Sequence, residues 1–141
     1  MALWVSAFTV NGRASYFSGV KGEGEMLLRI NGTEVTVAWE DNESVAALRE
    51  LVKAEPLSIE MSPYGGFEQV GSLGERLPRN DTQTTTQAGD IVLYSGSDIV
   101  IFYGSNSWAY TRLGHIEGLS GDELAALLSS NDVTATISTA S

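Results

Sequence analysis

Runs of β-forming residues separated by tight-turn signals recur along the chain, and they limit what it can fold into. The clearest case is the pair of runs Met26–Ile30 and Thr33–Trp39, which flank Asn31-Gly32. A two-residue hairpin turn needs positive φ at both central residues, and Asn and Gly tolerate that conformation best. The segment therefore predicts a β-hairpin, and local hairpins of this kind indicate an antiparallel sheet.

The other strands are predicted from alternating or continuously apolar runs of β-formers. They are Leu3–Val10, Ala14–Phe17, Leu57–Met61, Phe67–Val70, a short strand near Leu77, Asp90–Ser95, Ile99–Tyr103, Ser107–Leu113 with an extension through His115-Ile116, and Val133–Ser138. The polar run from Arg79 to Gln87 is expected to be solvated loop. The alternative for Thr84-Thr85-Thr86 is pairing with a sheet edge, because threonine is a β-former.

Two short helices are predicted from capping signals followed by apolar residues at helical spacing. The first starts at Asp41 or Asn42 and has stopped before Pro56, and the second starts at Ser120 with Glu123 at the capping-box position. Their apolar faces comprise Val45, Leu48, Leu51 and Val52 in the first helix and Leu124, Leu127 and Leu128 in the second. About eight strands and two short helices predict an all-β fold, a closed antiparallel barrel with a helix at each open end.

The composition narrows the classes of function. The 141 residues suit one domain, and 43% hydrophobic residues is an ordinary globular content. Only 8 Lys and Arg residues and a net charge of −10 argue against nucleic acid and membranes as partners. The absence of cysteine excludes disulfides, thiolate metal sites and a cysteine nucleophile. No apolar run reaches the roughly 20 residues that span a bilayer. We expect a cytoplasmic protein, and a removed leader sequence is also compatible with the chain.

Several motifs between Met26 and Ser138 follow one another in a characteristic order. They are the Met26–Trp39 hairpin, the capped helix at Asn42, Leu57–Met61 with its exit Ser62-Pro63-Tyr64-Gly65, Gly71-Ser72-Leu73-Gly74, Leu77-Pro78, Gln87–Tyr94, Ile99–Gly104 and Tyr110–Ile116. In this order and spacing the chain resembles the bacterial cyclophilin-like domain family. The resemblance implies a cyclophilin-like β-barrel for residues 26–141, after an N-terminal extension of residues 1–25 with a hairpin and a loop. It implies little about function, because this family is largely uncharacterised.

The family name raises the question of peptidyl-prolyl isomerase activity. True cyclophilins carry a Phe-His-Arg motif followed by Gly-Phe-Met-Gln-Gly-Gly-Asp, and neither run occurs in this chain. We transfer no catalytic residue, because a shared fold alone does not carry an activity. The missing motif favours a non-catalytic role.

Catalytic and metal sites find little support among the titratable residues. His115 is the only histidine, and as a general base it would need an orienting carboxylate such as Glu117. A surface histidine is the favoured interpretation. Glu40, Asp41 and Glu43 lie close in sequence but are interpreted as helix-capping charges, so neither a metal site nor a cofactor is predicted.

The candidate ligand-binding residues are aromatic, arginine and amide side chains in the long loop and the late strands. They are Arg76, Arg79, Asn80, Gln83, Tyr103, Trp108, Tyr110 and Arg112. If the loop folds over the barrel rim, these side chains form one cleft, and such groups suit a peptide or a sugar. The competing interpretation is that Trp108 and Tyr110 simply pack the barrel.

The leading hypothesis is a non-catalytic domain that binds a peptide or protein segment in this cleft. One alternative is a divergent peptidyl-prolyl cis-trans isomerase in which one of the three candidate arginines donates to the twisted amide. An arginine inside an aromatic-lined groove favours that activity. Another alternative is a carbohydrate-binding module, favoured by a flat exposed platform of Trp108 with Tyr103 or Tyr110. The oligomeric state stays open.

Overall fold

The computed structural model describes residues 25–140, together with the two short strands at 9–10 and 13–14. Its elements are β1 (Thr9–Val10), β2 (Arg13–Ala14), β3 (Met26–Ile30), β4 (Thr33–Trp39), α1 (Glu43–Ala54), β5 (Leu57–Tyr64), β6 (Glu68–Ser72), β7 (Thr82–Thr85), β8 (Asp90–Tyr94), β9 (Asp98–Phe102), β10 (Ser107–Glu117), α2 (Gly121–Leu128) and β11 (Val133–Thr139). Strands β1 and β2 form a separate antiparallel pair. The rest of the predicted strands Leu3–Val10 and Ala14–Phe17 lies outside the described residues. The division of the chain into residues 1–25 and 26–141 stays a prediction.

Eight strands close into an antiparallel barrel. Their order is β4-β3-β11-β5-β6-β9-β8-β10, and β10 pairs back with β4 through Gly114–Glu117 and Thr36–Trp39. Strand β7 is an additional strand that pairs with the first part of β10, Ser107–Tyr110. The predicted all-β class and the closed antiparallel barrel are confirmed.

The β3–β4 hairpin shows how the local sequence sets a register. Asn31 and Gly32 have φ angles of 50° and 84°, the positive values that the two-residue turn requires. Leu28 stands opposite Val35, and both side chains are buried inside the barrel. Both strands of the hairpin begin and end at the residues that the sequence predicts.

Both helices begin where the capping signals indicate. The Asn42 side-chain oxygen accepts a hydrogen bond from the Val45 amide at the start of α1. At the start of α2, Ser120 and Glu123 form a reciprocal capping box. Apolar side chains of both helices join the core inside the barrel: Val45, Leu48, Val52, Leu124 and Leu128 are buried there.

The segment between β6 and β8 differs from the sequence prediction. Thr82–Thr85 is a strand rather than solvated loop, because its backbone pairs with β10 and the hydroxyls of Thr85 and Ser107 lie 2.8 Å apart. The predicted short strand near Leu77 is wrong. Leu77 instead buries its side chain in the core and donates its amide to the carbonyl of Gly96.

Strand β5 is longer than its alternating run predicts. It continues past Met61 to Tyr64 and includes Pro63. Pairing of β5 with β11 ends at Met61, whereas pairing with β6 continues to Tyr64. Pro63 therefore lies where the strand has one neighbour, and a missing N–H is tolerated in such an edge-like segment.

Strand alternation creates two apolar clusters, one on each side of the sheet formed by β6, β9, β8 and β10. The cluster inside the barrel includes the fully buried side chains of Ile91, Leu93, Ile99 and Ile101. The second cluster consists of Val92, Val100, Phe102 and Tyr110, with Phe67 and Val70 packed against it. Its members alternate with the inward ones along β8 and β9, so this outer cluster lies on the outside of the barrel.

We expect Gly71→Ala in β6 to destabilise the barrel. A Cβ atom at Gly71 would lie 2.6 Å from the carbonyl oxygen of Glu60 and 2.7 Å from Cγ2 of Ile59. The backbone of β5 cannot retreat without disturbing its own pairing. The resulting overpacking lowers the free energy of unfolding by about 1–3 kcal/mol. Urea unfolding followed by circular dichroism measures this loss.

Gly121→Ala is the matched control for that variant. Gly121 is the first residue of α2, and nothing lies within 4 Å of an added Cβ there. We expect no loss of stability, because alanine has the higher helix propensity. Equal stabilities of the two variants would contradict the close approach of β5 and β6 at Gly71.

Candidate functional site

A cleft of about 360 Å³ lies on the outside of the barrel, over the outer cluster. It is lined by Tyr64, Glu68, Val70, Tyr94, Asp98, Val100, Asn106, Trp108 and Tyr110. We call it the aromatic cleft. Its volume is within the range of sites that hold small ligands or single side chains.

Strand register brings the polar and aromatic residues of the cleft together. Tyr64 stands opposite Glu68 across β5 and β6, and Tyr94 stands opposite Asp98 across β8 and β9. Glu68 also stands opposite Phe102, a member of the outer cluster. Cross-strand partners share one face of a sheet, so all five side chains lie on the outside of the barrel.

Tyr110 is the central ring of the cleft floor. It packs edge-on against Phe102 and Tyr94, with ring centroids 5.7 Å and 6.2 Å away. Asn106 donates a hydrogen bond from Nδ2 to the Tyr110 hydroxyl at 2.8 Å. The backbone of Asn106 exchanges two hydrogen bonds with the hydroxyl of buried Thr86. These contacts hold the Tyr110 ring and the Asn106 amide in fixed positions.

Three large hydrophobic side chains are exposed in the described part of the chain, and all three line the aromatic cleft. Tyr64 is 66% exposed, Trp108 is 56% exposed and Tyr94 is 38% exposed. A single exposed aromatic residue needs no explanation. Three that converge over an apolar floor are typical of a binding surface.

Glu68 is the buried ionisable group of the cleft. Only 6% of the residue is exposed, and its Oε1 atom has no hydrogen-bond partner in the part of the chain that the structure describes. Burial raises the pKa of the Glu68 carboxyl from 4.5 to about 7. At neutral pH this carboxyl can therefore donate a hydrogen bond when protonated or pair with a cation when ionised.

The Tyr110 hydroxyl shares this environment. Burial raises its pKa, the hydrogen bond from Asn106 lowers it, and the charges of Glu68 and Tyr94 raise it further. The phenol consequently stays protonated at neutral pH. It presents an O–H donor in the cleft that Glu68 also lines, and no acceptor for this proton is found among residues 25–140.

Comparisons with known proteins identify the family. A profile of the Cyclophilin-like family matches residues 28–138. The chain belongs to the Cyclophilin-like family. Its structure is also similar to the solution structure of a hypothetical protein from Archaeoglobus fulgidus, with a TM-score of 0.54 and 16% identity over 87% of this chain and 100% of that one. At this identity the likeness concerns the fold alone. No curated protein matches the sequence.

The eight predicted ligand-binding residues of this cyclophilin-like chain lie in different surroundings. Trp108 and Tyr110 line the aromatic cleft. Arg79, Asn80 and Arg112 line a second cleft of about 430 Å³, beside the start of α1. Whether any of these residues binds a ligand stays a prediction.

The other three predicted residues line neither cleft. Arg76 donates a hydrogen bond to the carbonyl of Ser95 at 3.2 Å. Gln83 stands opposite Ala109 in the β7–β10 pair, so strand alternation turns its side chain to the face away from Trp108. Tyr103 packs, partly buried, against the core inside the barrel.

The polar groups of the second cleft contact one another. Nη2 of Arg79 lies 2.6 Å from a carboxylate oxygen of Asp81. The hydroxyl of Thr111 donates to the other oxygen of Asp81 at 2.6 Å and accepts from the Asn80 amide at 2.9 Å. The polar atoms of Arg79, Asp81 and Thr111 at the second cleft thus have hydrogen-bond or ion-pair partners. In the aromatic cleft, by contrast, the Oε1 atom of Glu68 has no hydrogen-bond partner among the described residues.

His115 has a carboxylate partner, but that partner is Asp90 rather than Glu117. Strand pairing puts Asp90 opposite His115, and Nδ1 of His115 lies 2.7 Å from Oδ1 of Asp90. The same oxygen accepts a hydrogen bond from Arg112 at 2.9 Å, and the other oxygen accepts one from the Gln87 amide. Asp90 is buried, whereas the His115 and Arg112 side chains are partly exposed, so this network connects β8 to β10 at the barrel surface.

No group of three or more His, Asp or Glu side chains within the described residues could hold a metal ion. No helix in that part of the chain is long and apolar enough to cross a membrane. The cytoplasmic location and the lack of a cofactor stay predictions.

Sequence reasoning misses Glu68, Tyr94 and Asp98. The sequence does contain part of the information needed to find Glu68, because Glu68 and Val70 alternate with Gln69 and so share one face of β6. The pairing of β6 with β9 turns that face toward the outer cluster. This long-range pairing has no local signature.

We expect Glu68→Gln to stabilise the protein increasingly as pH rises from about 4.5 to about 7. The folded protein binds the Glu68 proton more tightly than the unfolded chain does, because burial raises the folded-state pKa to about 7. The cost of burying an ionised carboxylate is thus absent below the unfolded pKa and complete above the folded one. The variant should gain up to about 3 kcal/mol at pH 8. Urea unfolding across this pH range measures the difference.

Glu117→Gln is the control for loss of one acidic charge at an exposed position of β10. If the free energies of unfolding of the two variants changed with pH in the same way, the buried Glu68 carboxyl would not be the cause of the pH-dependent stabilisation. A stabilisation of Glu68→Gln alone that grows between pH 5 and pH 7 supports the raised pKa of Glu68.

Proposed function

We propose that this cyclophilin-like chain is a binding domain that takes an extended peptide or protein segment in the aromatic cleft. One observation carries the proposal. The three exposed large hydrophobic side chains of the described residues line a single cleft with an apolar floor. Aromatic rings that are packed on one side and open on the other are typical anchors of protein recognition.

The dimensions of the cleft suit an extended segment. Its residues come from Asn106 and from five strands that are neighbours in the sheet in the order β5, β6, β9, β8 and β10. Strands lie about 4.8 Å apart, so four spacings span roughly 19 Å. An extended chain advances about 3.3 Å per residue, so about six residues of a partner cross the cleft.

Tyr110 and Asn106 supply the polar contacts that a peptide backbone needs. The Tyr110 hydroxyl keeps its proton available as a donor, and Asn106 positions that hydroxyl. An extended segment always carries carbonyl acceptors. A fixed donor between aromatic anchors is therefore suited to main-chain recognition.

The two alternative functions have less support. No arginine lines the aromatic cleft within the described residues, so the donor expected of an isomerase is not found in that groove. A sugar-binding platform would need a flat pair of exposed rings. Tyr110 is instead buried and edge-on to Phe102, and Tyr103 packs against the inner core.

We expect Trp108→Ala to weaken peptide binding at least tenfold, because the indole is the largest exposed anchor of the cleft. The measurement is a titration of the ¹⁵N-labelled protein with a set of blocked Xaa-Pro and proline-free peptides, followed by NMR. Chemical-shift changes should be confined to the lining residues of the aromatic cleft. Exchange spectroscopy on the Xaa-Pro peptides reports catalysed cis/trans isomerisation in the same samples.

Lys53→Ala is the control, because Lys53 is exposed on α1 and pairs with Glu50. It should bind the peptides like the unaltered protein. Shift changes at the second cleft, or equal affinities of the Trp108→Ala variant and the control, would contradict the proposed site. Catalysed exchange would replace the binding role with isomerase activity.

A further inference from the structure

The strongest unexplained feature of the molecule is the Glu68 carboxyl. It is more than nine-tenths buried, it lines the aromatic cleft, and its Oε1 atom has no partner in residues 25–140. A buried carboxyl oxygen without a partner costs free energy in either protonation state. A ligand that supplies the missing partner would remove that cost.

The groups around Glu68 indicate the charge of such a ligand. The other titratable residues that line the cleft are Tyr64 on β5, Tyr94 on β8, Asp98 on β9 and Tyr110 on β10. No Lys, Arg or His lines the cleft within the described residues. Two carboxyl groups and no basic group produce a negative potential there, which attracts a cation.

The aromatic and apolar residues of the cleft suit both the cationic group and the methylene groups of a long basic side chain. Trp108 and Tyr94 are exposed aromatic rings, and their faces attract an ammonium or guanidinium group. Val70 and Val100 stand opposite each other between Glu68 and Asp98 and form an apolar floor. Long basic side chains place their methylene groups on such apolar surfaces while the charged end finds its partner.

We infer that the aromatic cleft binds the Lys or Arg side chain of a peptide segment, with the carboxylate of Glu68 as the partner of the cation and Asp98 adding negative charge at the other end of the floor. This inference rests on the proposed function, because it names the residue that anchors the bound segment. The observation that carries it is the buried Glu68 side chain among aromatic rings, whose Oε1 atom has no hydrogen-bond partner in the described residues.

The binding should depend on pH with a defined sign. The cation binds the ionised form of Glu68, and burial raises the pKa of this carboxyl to about 7 in the free protein. The ionised fraction rises about tenfold between pH 6 and pH 8, so affinity for a Lys peptide should rise about tenfold over the same range. A ligand that only accepts a hydrogen bond from protonated Glu68 would lose affinity over this range.

The first experiment determines which side chain enters the cleft. A positional-scanning set of hexapeptides, acetylated at the amino end and amidated at the carboxyl end, carries Lys, Arg, norleucine or Glu at one defined position. Calorimetry then compares the best Lys or Arg peptide with its norleucine analogue. We expect the basic peptide to bind at least tenfold more tightly at pH 8.

Three variants locate the residues responsible for the preference. Glu68→Gln should abolish the preference for the basic peptide over norleucine and remove its pH dependence. Asp98→Asn should reduce the preference, and Trp108→Ala should weaken both peptides. Because Glu68→Gln is expected to stabilise the fold, loss of the preference in this variant cannot be attributed to unfolding.

The outcomes separate this inference from the function on which it rests. Binding of basic and norleucine peptides with equal affinity overturns the inference and leaves peptide binding in place. Binding of no peptide overturns both. Tighter binding of free n-butylammonium than of any Lys peptide overturns the inference in favour of a small amine ligand. Affinity that falls from pH 6 to pH 8 overturns it in favour of an acceptor group.

Discussion

The pairing of β10 with β4 closes the barrel, and the other features of the structure depend on this closure. It joins Gly114–Glu117 to Thr36–Trp39, residues that are far apart in the chain. Once the sheet is closed, each strand has one face inside and one face outside. The inner face receives the core and the apolar sides of both helices. Apolar residues on the outer faces of β8 and β9 then need their own cover, which Tyr110, Phe67 and Val70 provide in part.

The aromatic cleft occupies the part of that outer face where the cover is incomplete. Its floor is apolar, three of its aromatic side chains are exposed, and the Oε1 atom of its buried Glu68 has no partner among the described residues. These properties reduce the stability of the free protein, because exposed rings and an unpartnered carboxyl oxygen both cost free energy. Sites that bind ligands are commonly arranged at the expense of stability in this way. The second cleft differs, since Asp81, Arg79 and Thr111 satisfy one another.

Local signals predict most of the fold, and long-range pairing determines the site. The Asn31-Gly32 turn, the Asn42 cap and the Ser120 capping box each depend on residues a few positions apart. These features follow from the sequence because their physical causes are local. Strand β7 is different: Thr82–Thr85 is polar and its threonines are β-formers, so the local sequence is compatible with both loop and strand, and pairing with β10 determines the outcome. Glu68 lies beside Phe102, and Asp90 beside His115, through pairings that no local pattern specifies.

The two parts of strand β10 have different partners: its first four residues pair with β7, and the rest belongs to the closed barrel. Residues from Thr111 onward are paired within the closed barrel, whereas Ser107–Tyr110 pair with β7 alone among the described strands. Trp108 and Tyr110 therefore stand on a two-stranded ribbon, while Glu68 and Asp98 stand on the barrel. A two-stranded ribbon has a lower opening free energy than a closed sheet. The Trp108 side of the cleft therefore has the lower resistance to local opening, while the closed barrel holds Glu68 and Asp98 in place.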